Sequence, residues 1–503
     1  MLAGIMFMDG VMVMVLEMVG ARLMAPHVGT SSIVWTSLIG VILAFLAMGA
    51  WFGGYLADRK LSLRILAAIL AGAGLGVALT ALIHPLLGKA VMETPPNVYL
   101  GAILGALLYF ALPALLFGMV PPYIVRLSLA NLASSGSTVG RLYALSTAGS
   151  IVGTFLGGFV LISYCSSTHI LFGTAVVCGL LSLLVHARRN LPGIAVLLCG
   201  IGAVFCSASY DSWQAKQGML PTLETPYNTL RVFEGIAEGQ RRVRLIQTDP
   251  GKIQSGMYLD DPVALYAEYT RYYALGSALH PNATRILMLG GGGYSVPKWL
   301  LAGRSGLDGT ALELDVVELD PGMTKLAREY FYLPDDPRMR VHHVDARRFL
   351  NGNTRQYDLI FVDVFNSYYS VPFQMGTKEA AEALHRALAP GGMMIMNIIS
   401  SYSGKSGLLF RSIHGAMSMV FPELHVFAVH TQEHLDTVQN IMLLALPEKR
   451  PDLTAVFAGE AAHLSQRIQA MLRTRVTQPV PQDCSALFDN FAPVERYAQA
   501  LLQ

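Results

Sequence analysis

Three carboxylates and a run of glycines in the second half of this chain stand where side chains can do chemistry. Glu318, Asp345 and Asp363 each follow an apolar stretch of strand-like composition, and Gly290 to Gly293 follow a fourth, Ile286 to Leu289. Glycines in such a turn let the backbone approach a ligand, and an acid at the end of the next strand accepts hydrogen bonds from ribose hydroxyls. Gly290, Gly291 and Gly292 therefore read as a nucleoside-binding turn, with Glu318 as its ribose acceptor. Asp345, with the backbone at Ala346, is placed to meet an adenine edge. Asp363 then faces the reacting end of the nucleoside, where a carboxylate can orient an amine and take its proton. Each acid alone reads as well as a helix cap; four such features at successive strand ends read as a site. His342 and His343 alternate along one strand and are read as structural. No spacing for metal ligands is present.

The elements that must position these residues follow from the same pattern. Strand-like runs at 286–289, 316–317, 341–344, 357–362 and 393–399 alternate with helical ones at 322–331 and 377–388. Alternation of this kind implies a mostly parallel, doubly wound sheet, a Rossmann-like domain of the class I methyltransferase type over residues 263–503. Ahead of it, residues 223–262 carry three alternating runs separated by turn signals, which predict a small antiparallel sheet. Residues 263–279 read as a helix, with Tyr269, Tyr272 and Tyr273 as packing residues.

The first 208 residues are of another kind. Across the 503-residue chain 53% of residues are hydrophobic and only 14% charged, and the charges concentrate after residue 208. Apolar runs near 1–20, 34–56, 65–87, 98–120, 142–162, 169–186 and 191–208 predict about seven spans, with residues 209–222 as a polar linker. Glycines at four-residue spacing (Gly49 and Gly53; Gly101 and Gly105; Gly149, Gly153 and Gly157) predict close helix contacts. Asp9 and Glu17 lie inside the first run, where a carboxylate either pairs with a base such as Arg22 or Arg141 or serves a function. Basic residues after runs two, four and six put those loops in the cytoplasm, yet seven spans would put the following domain outside. A net charge of +2 gives no reason to invoke nucleic acid.

The soluble half resembles spermidine synthases, the polyamine aminopropyltransferases, and in layout their membrane-fused bacterial relatives. The resemblance rests on residues 223 to about 400. It implies that Gln254 contacts the nucleoside, that Glu318 holds the ribose, and that Asp345-Ala346 holds the adenine. It also implies that Asp363 accepts the proton and that Pro372 lines the adenine side. Tyr266 and Glu268 match the ends of the family's Y-H-E motif and so imply substrate contacts, but Ala267 replaces the histidine. Gly293 stands where the G-G-G-D loop has its acid, and Asn366, a further implied substrate contact, replaces the second acid of D-S-S-D. The donor implied is S-adenosylmethionine or its decarboxylated form, without a metal, and the product methylthioadenosine. Loss of two acids weakens selection for ammonium groups and removes repulsion against a donor that keeps its carboxylate. Acceptor-independent cyclisation or cleavage of S-adenosylmethionine, a methyltransferase, and a non-catalytic nucleoside- or polyamine-binding transporter or sensor stay open as alternatives. The expected setting is a bacterial inner membrane with the catalytic domain on the cytoplasmic side. The expected partners are a small amine or sulfonium nucleoside, the lipid bilayer and a second copy of the chain.

Overall fold

The computed structural model describes the chain except residues 29–31, 93–97, 130–134, 188–189, 217–219, 221, 250–251, 365–371, 431–432, 458–460 and 500–503. It divides into two compact units, Met1–Pro226 and Tyr227–Gln503.

Among the described residues of the first unit, six helices are long and apolar enough to cross a membrane: Leu2–Ala25, Ser32–Arg59, Leu63–His84, Tyr99–Ser128, Ser135–Tyr164 and Ser167–Val185. The expected seventh run lies in the helix Leu191–Lys216, which is apolar over Leu191–Cys206 among the described residues and packs on Ser167–Val185, where a Cβ on Gly179 would meet Leu197. The prolines Pro121 and Pro122 do not turn the chain back; the helix Val98–Ser128 runs through them. Glycine spacing works as expected at two crossings. A Cβ on Gly49 would collide with the Leu115 carbonyl oxygen and one on Gly53 with that of Met119, while Gly149 and Gly153 ride on the carbonyls of Phe7 and Val11. Backbones therefore touch directly, which is how helices gain contact where no hydrophobic force drives them together. Of the acids in the first helix, Asp9 is buried. Arg22 pairs at 3.5 Å with Glu224, beyond the expected span, rather than with Asp9 or Glu17. Glu224 also accepts from the Ser167 N–H at 2.9 Å. It belongs to a short strand, β1 (Thr222–Glu224), at the end of this unit.

The second unit opens with β2 (Thr229–Ile236), β3 (Arg242–Asp249) and β4 (Lys252–Tyr258), paired antiparallel in sequence order. The large sheet contains β5 (Arg285–Leu289), β6 (Glu313–Val317), β7 (Met339–His342), β8 (Tyr357–Val362), β9 (Leu388–Ser400), β10 (Glu423–Ala428) and β11 (Gln439–Leu446). Its order is β10-β11-β9-β8-β5-β6-β7. The neighbours from β9 to β7 pair in parallel, and β11 pairs antiparallel with both β9 and β10. Both faces are covered, as a parallel sheet requires. Ile286 and Met288 join one core and Leu287 and Leu289 the other; Leu359 and Phe361 divide from Ile360 and Val362 in the same way. The strand period of two therefore decides which face each following polar residue inherits. The expected helix over 263–279 begins late: a 3₁₀ turn, Glu268–Tyr273, leads into the helix Ala274–Leu279. Tyr266 lies ahead of both, its ring seated where a Cβ on Gly256 would be.

Candidate active site

Strand order reverses between β5 and β8, because β6 and β7 add on one side of β5 while β8 and β9 add on the other. Ligands bind at such switch points, outside the carboxyl ends of the strands. Reading across the sheet, the tips of β8, β5, β6 and β7 carry Asp363, the glycine turn, Glu318 and Asp345 in spatial order. The four sequence-predicted features therefore lie along one edge.

Glu318 organises the turn. Its Oε2 accepts from the N–H groups of Gly291 at 2.9 Å and Gly292 at 3.1 Å, and its Oε1 accepts from Asp320 N–H at 2.9 Å. Burial pushes its carboxyl up, and the three N–H donors pull it back down. Gly290 (φ +93°) and Gly292 (φ +51°) adopt backbone that favours glycine. A side chain on Gly290 would also run into the Asp363 carbonyl, so the turn and the tip of β8 are in contact.

Asp363 follows β8, its N–H donating to Leu289 O at 2.8 Å. Its Oδ2 accepts from the Tyr269 hydroxyl at 2.9 Å and its Oδ1 from Asn397 Nδ2 at 2.9 Å. Burial raises its pKa, and the two donors counter that in part. Tyr273 packs alongside, its hydroxyl donating to Val362 O at 3.2 Å. Asp363 thus has neutral donors on both oxygens and, among the described residues, no cation paired with it.

Asp345 caps the helix Ala346–Gly352, accepting from Arg348 N–H at 3.0 Å, with Ala346 as the first helical residue. Gln254 and Ser255 lie on β4 of the small sheet. Among the described residues the Oε1 of Gln254 is buried without a hydrogen-bond partner. An amide oxygen in that state requires a donor, which fits a ligand bearing N–H or O–H groups. Ser255 fills the space where a side chain on Gly293 would go. Lys298, buried, ties the helix after the turn to this sheet and to Phe331: its Nζ donates to Phe331 O at 2.6 Å and touches Met257 Sδ at 3.2 Å. Burial lowers that ammonium to about 8.

The substrate-end residues are dispersed. Tyr266 meets Tyr258 edge-on at 5.5 Å between ring centres. Glu268 is exposed and lies 3.2 Å from His430 Nδ1. Pro372, half-buried, precedes the 3₁₀ turn Phe373–Met375. Asn366 lies outside the described residues. His342 bonds Asp315 at 2.8 Å, a structural role as expected. Sequence reasoning read Tyr269 as a packing residue, whereas its hydroxyl reaches Asp363, and passed over Asn397. The signals were the four-residue spacing of Tyr269 and Tyr273, and a single amide interrupting the apolar run Met393–Ile399.

Residues 269–447 match the family described as Spermine/spermidine synthase domain. The polyamine aminopropyltransferase of Vibrio vulnificus is 30% identical over 205 residues, 40% of this chain and 64% of that protein. That of Streptococcus uberis is 32% identical over 159 residues, 30% of this chain and 53% of that protein. The chain thus spans between half and two thirds of these relatives' length. A solved structure of a probable spermidine synthase from Corynebacterium glutamicum aligns over 55% of this chain and 98% of that one, with 24% identity and a TM-score of 0.43. The matched segment contains the glycine turn, Glu318, Asp345 and Asp363, and over that segment the chain is similar to the spermidine synthases.

Proposed function

We propose that this chain is a membrane-anchored transferase acting on S-adenosylmethionine or its decarboxylated form, with Asp363 as base and methylthioadenosine as product. The observation that carries this is Asp363 itself: a carboxylate at the switch point, touching the glycine turn, with neutral donors around it. In the reaction an amine nitrogen attacks the alkyl carbon next to the sulfonium. The carbon–sulfur bond breaks, its electron pair stays on sulfur as a neutral thioether, and the amine's proton passes to Asp363. Glu318 would hold the ribose, Asp345 and Ala346 the adenine edge with Pro372 beside it, and Gln254 a donor group of the nucleoside. Tyr266 and Glu268 would line the acceptor end, and Asn366 is proposed there on sequence alone. Mass spectrometry of products after incubating the purified full chain with each donor, with and without putrescine, tests this. Methylthioadenosine is expected; S-adenosylhomocysteine would mark a methyltransferase, and two intact donors a binding protein.

The acceptor end favours a donor that keeps its carboxylate. With Gly293 and Asn366 in place of acids, that end has less negative charge to repel it. Restoring the acid is obstructed, because a side chain at 293 meets Ser255. Gly293→Asp alone should lower stability by about 1–3 kcal/mol, as overpacking does, read as a fall in Tm. Adding Ser255→Gly should recover most of that loss and shift donor preference toward the decarboxylated form. A single variant as stable as the wild type would contradict the packing.

We place the second unit in the cytoplasm. That placement follows the substrate: a nucleoside-dependent enzyme draws its donor from the cytosol, while Glu224, just ahead of this unit, meets Arg22 and Ser167 at the bundle end opposite the basic loops, against the positive-inside rule. A C-terminal green fluorescent protein fusion should therefore fluoresce in a bacterial host. An active alkaline phosphatase fusion at the same point would contradict the topology.

A further inference from the structure

Behind Asp363 stand two amides in line. Asn397 interrupts the apolar strand β9 and is buried, and its Nδ2 reaches Asp363 Oδ1 at 2.9 Å. Asn440, on β11, donates from its own Nδ2 to Asn397 Oδ1 at 2.9 Å. Register brings them together. Met442 lies opposite Asn397 and Asn440 opposite Ile399, so the two amides are diagonal neighbours on one face, within reach of each other. An ionised carboxylate only accepts hydrogen bonds. Asn397 must therefore turn its NH2 toward Asp363, which leaves its oxygen facing β11, where a donor has to meet it. Asn440 supplies that donor and so determines which way round Asn397 sits.

We infer that Asn397 and Asn440 are positioning residues that orient Asp363 and keep it ionised, with Asn440 acting through Asn397. This rests on the reading of Asp363 as the proton acceptor. Burial works against the charged carboxylate, and the Asn397 bond is the foremost of the two contacts that oppose it. Tyr269 is the other.

Asn440→Asp tests the relay, because it keeps the shape and, once ionised, cannot donate. Asn397 would then turn its NH2 to residue 440 and present its oxygen to Asp363, disfavouring the charged form. The acid limb of the kcat–pH profile should move up by about one pH unit, equivalent to a tenfold change in the ionisation constant. KM for the nucleoside donor should stay within about twofold, as expected where only the reacting step is affected. A limb that does not move contradicts the relay. Asn440→Ala should shift the limb the same way by less.

Thermal unfolding of the full chain between pH 5 and 8 reads the relay without turnover. A raised folded-state pKa means stability lost as pH rises. The deficit of Asn440→Ala against wild type, a variant that adds no titratable group, should therefore have a part that grows with pH and is lost in an Asp363→Asn background. A deficit independent of pH, or a pH-dependent one that persists in that background, overturns the relay. Wild-type protein that shows the pH-dependent coupling but releases no methylthioadenosine would overturn the functional reading and leave the relay standing.

Discussion

Asp363→Asn should reduce methylthioadenosine release by about 10²–10⁴-fold, the range that one positioned general base contributes. The substitution keeps the size of the side chain and removes its capacity to take a proton. Nucleoside affinity should change little, because the glycine turn lies one strand away and Glu318 two. The pH profile gives a second check. Burial holds the Asp363 carboxyl above the ordinary carboxylate range, so the proton acceptor is lost at a higher pH than a free aspartate would lose it. Activity should therefore fall as pH drops through that raised value, and the fall should disappear from the residual activity of Asp363→Asn. Turnover of the variant at the wild-type rate would remove Asp363 from the mechanism.

Glu318→Ala should be the second large effect, and it acts on binding. The carboxylate accepts three backbone N–H groups, from Gly291, Gly292 and Asp320. Truncation leaves those donors without their acceptor and removes the proposed ribose contact. Hydrogen bonds to charged groups contribute about 1.5–3 kcal/mol each, so loss of the ribose contact alone should weaken methylthioadenosine binding by about 10–150-fold. Isothermal titration of the full chain measures this, and a lower Tm should accompany it. Glu318→Gln should lose less, since one amide oxygen can still accept from the turn. Unchanged affinity in Glu318→Ala would mean that the nucleoside does not sit at the tip of β6.

Most of the edge was legible in the sequence because it is local. Strand, glycine turn and acid follow one another within a few dozen residues, and the strand period tells which tips face outward. Asp345 shows the limit of that reading: it does cap a helix, which is its ordinary structural role, while also standing on the predicted edge. What sequence order could not show is what arrives from elsewhere. Tyr269 comes from 94 positions upstream of Asp363 and Asn397 from 34 downstream, and their convergence depends on sheet order and register. Asn440 adds a third layer, visible only once β11 is known to lie antiparallel beside β9. The late start of the helix near 268 has a similarly non-local cause, since Tyr266 is occupied against Gly256 of the small sheet. In the first unit hydropathy found every long span among the described residues.

The most direct test of the account is a structure of the full chain with methylthioadenosine bound. The account predicts ribose hydroxyls on the Glu318 carboxylate, the adenine at Asp345 and Ala346, and the thioether sulfur near Asp363. A nucleoside bound away from the tips of β5, β6 and β8, or one whose sulfur points away from Asp363, would contradict it.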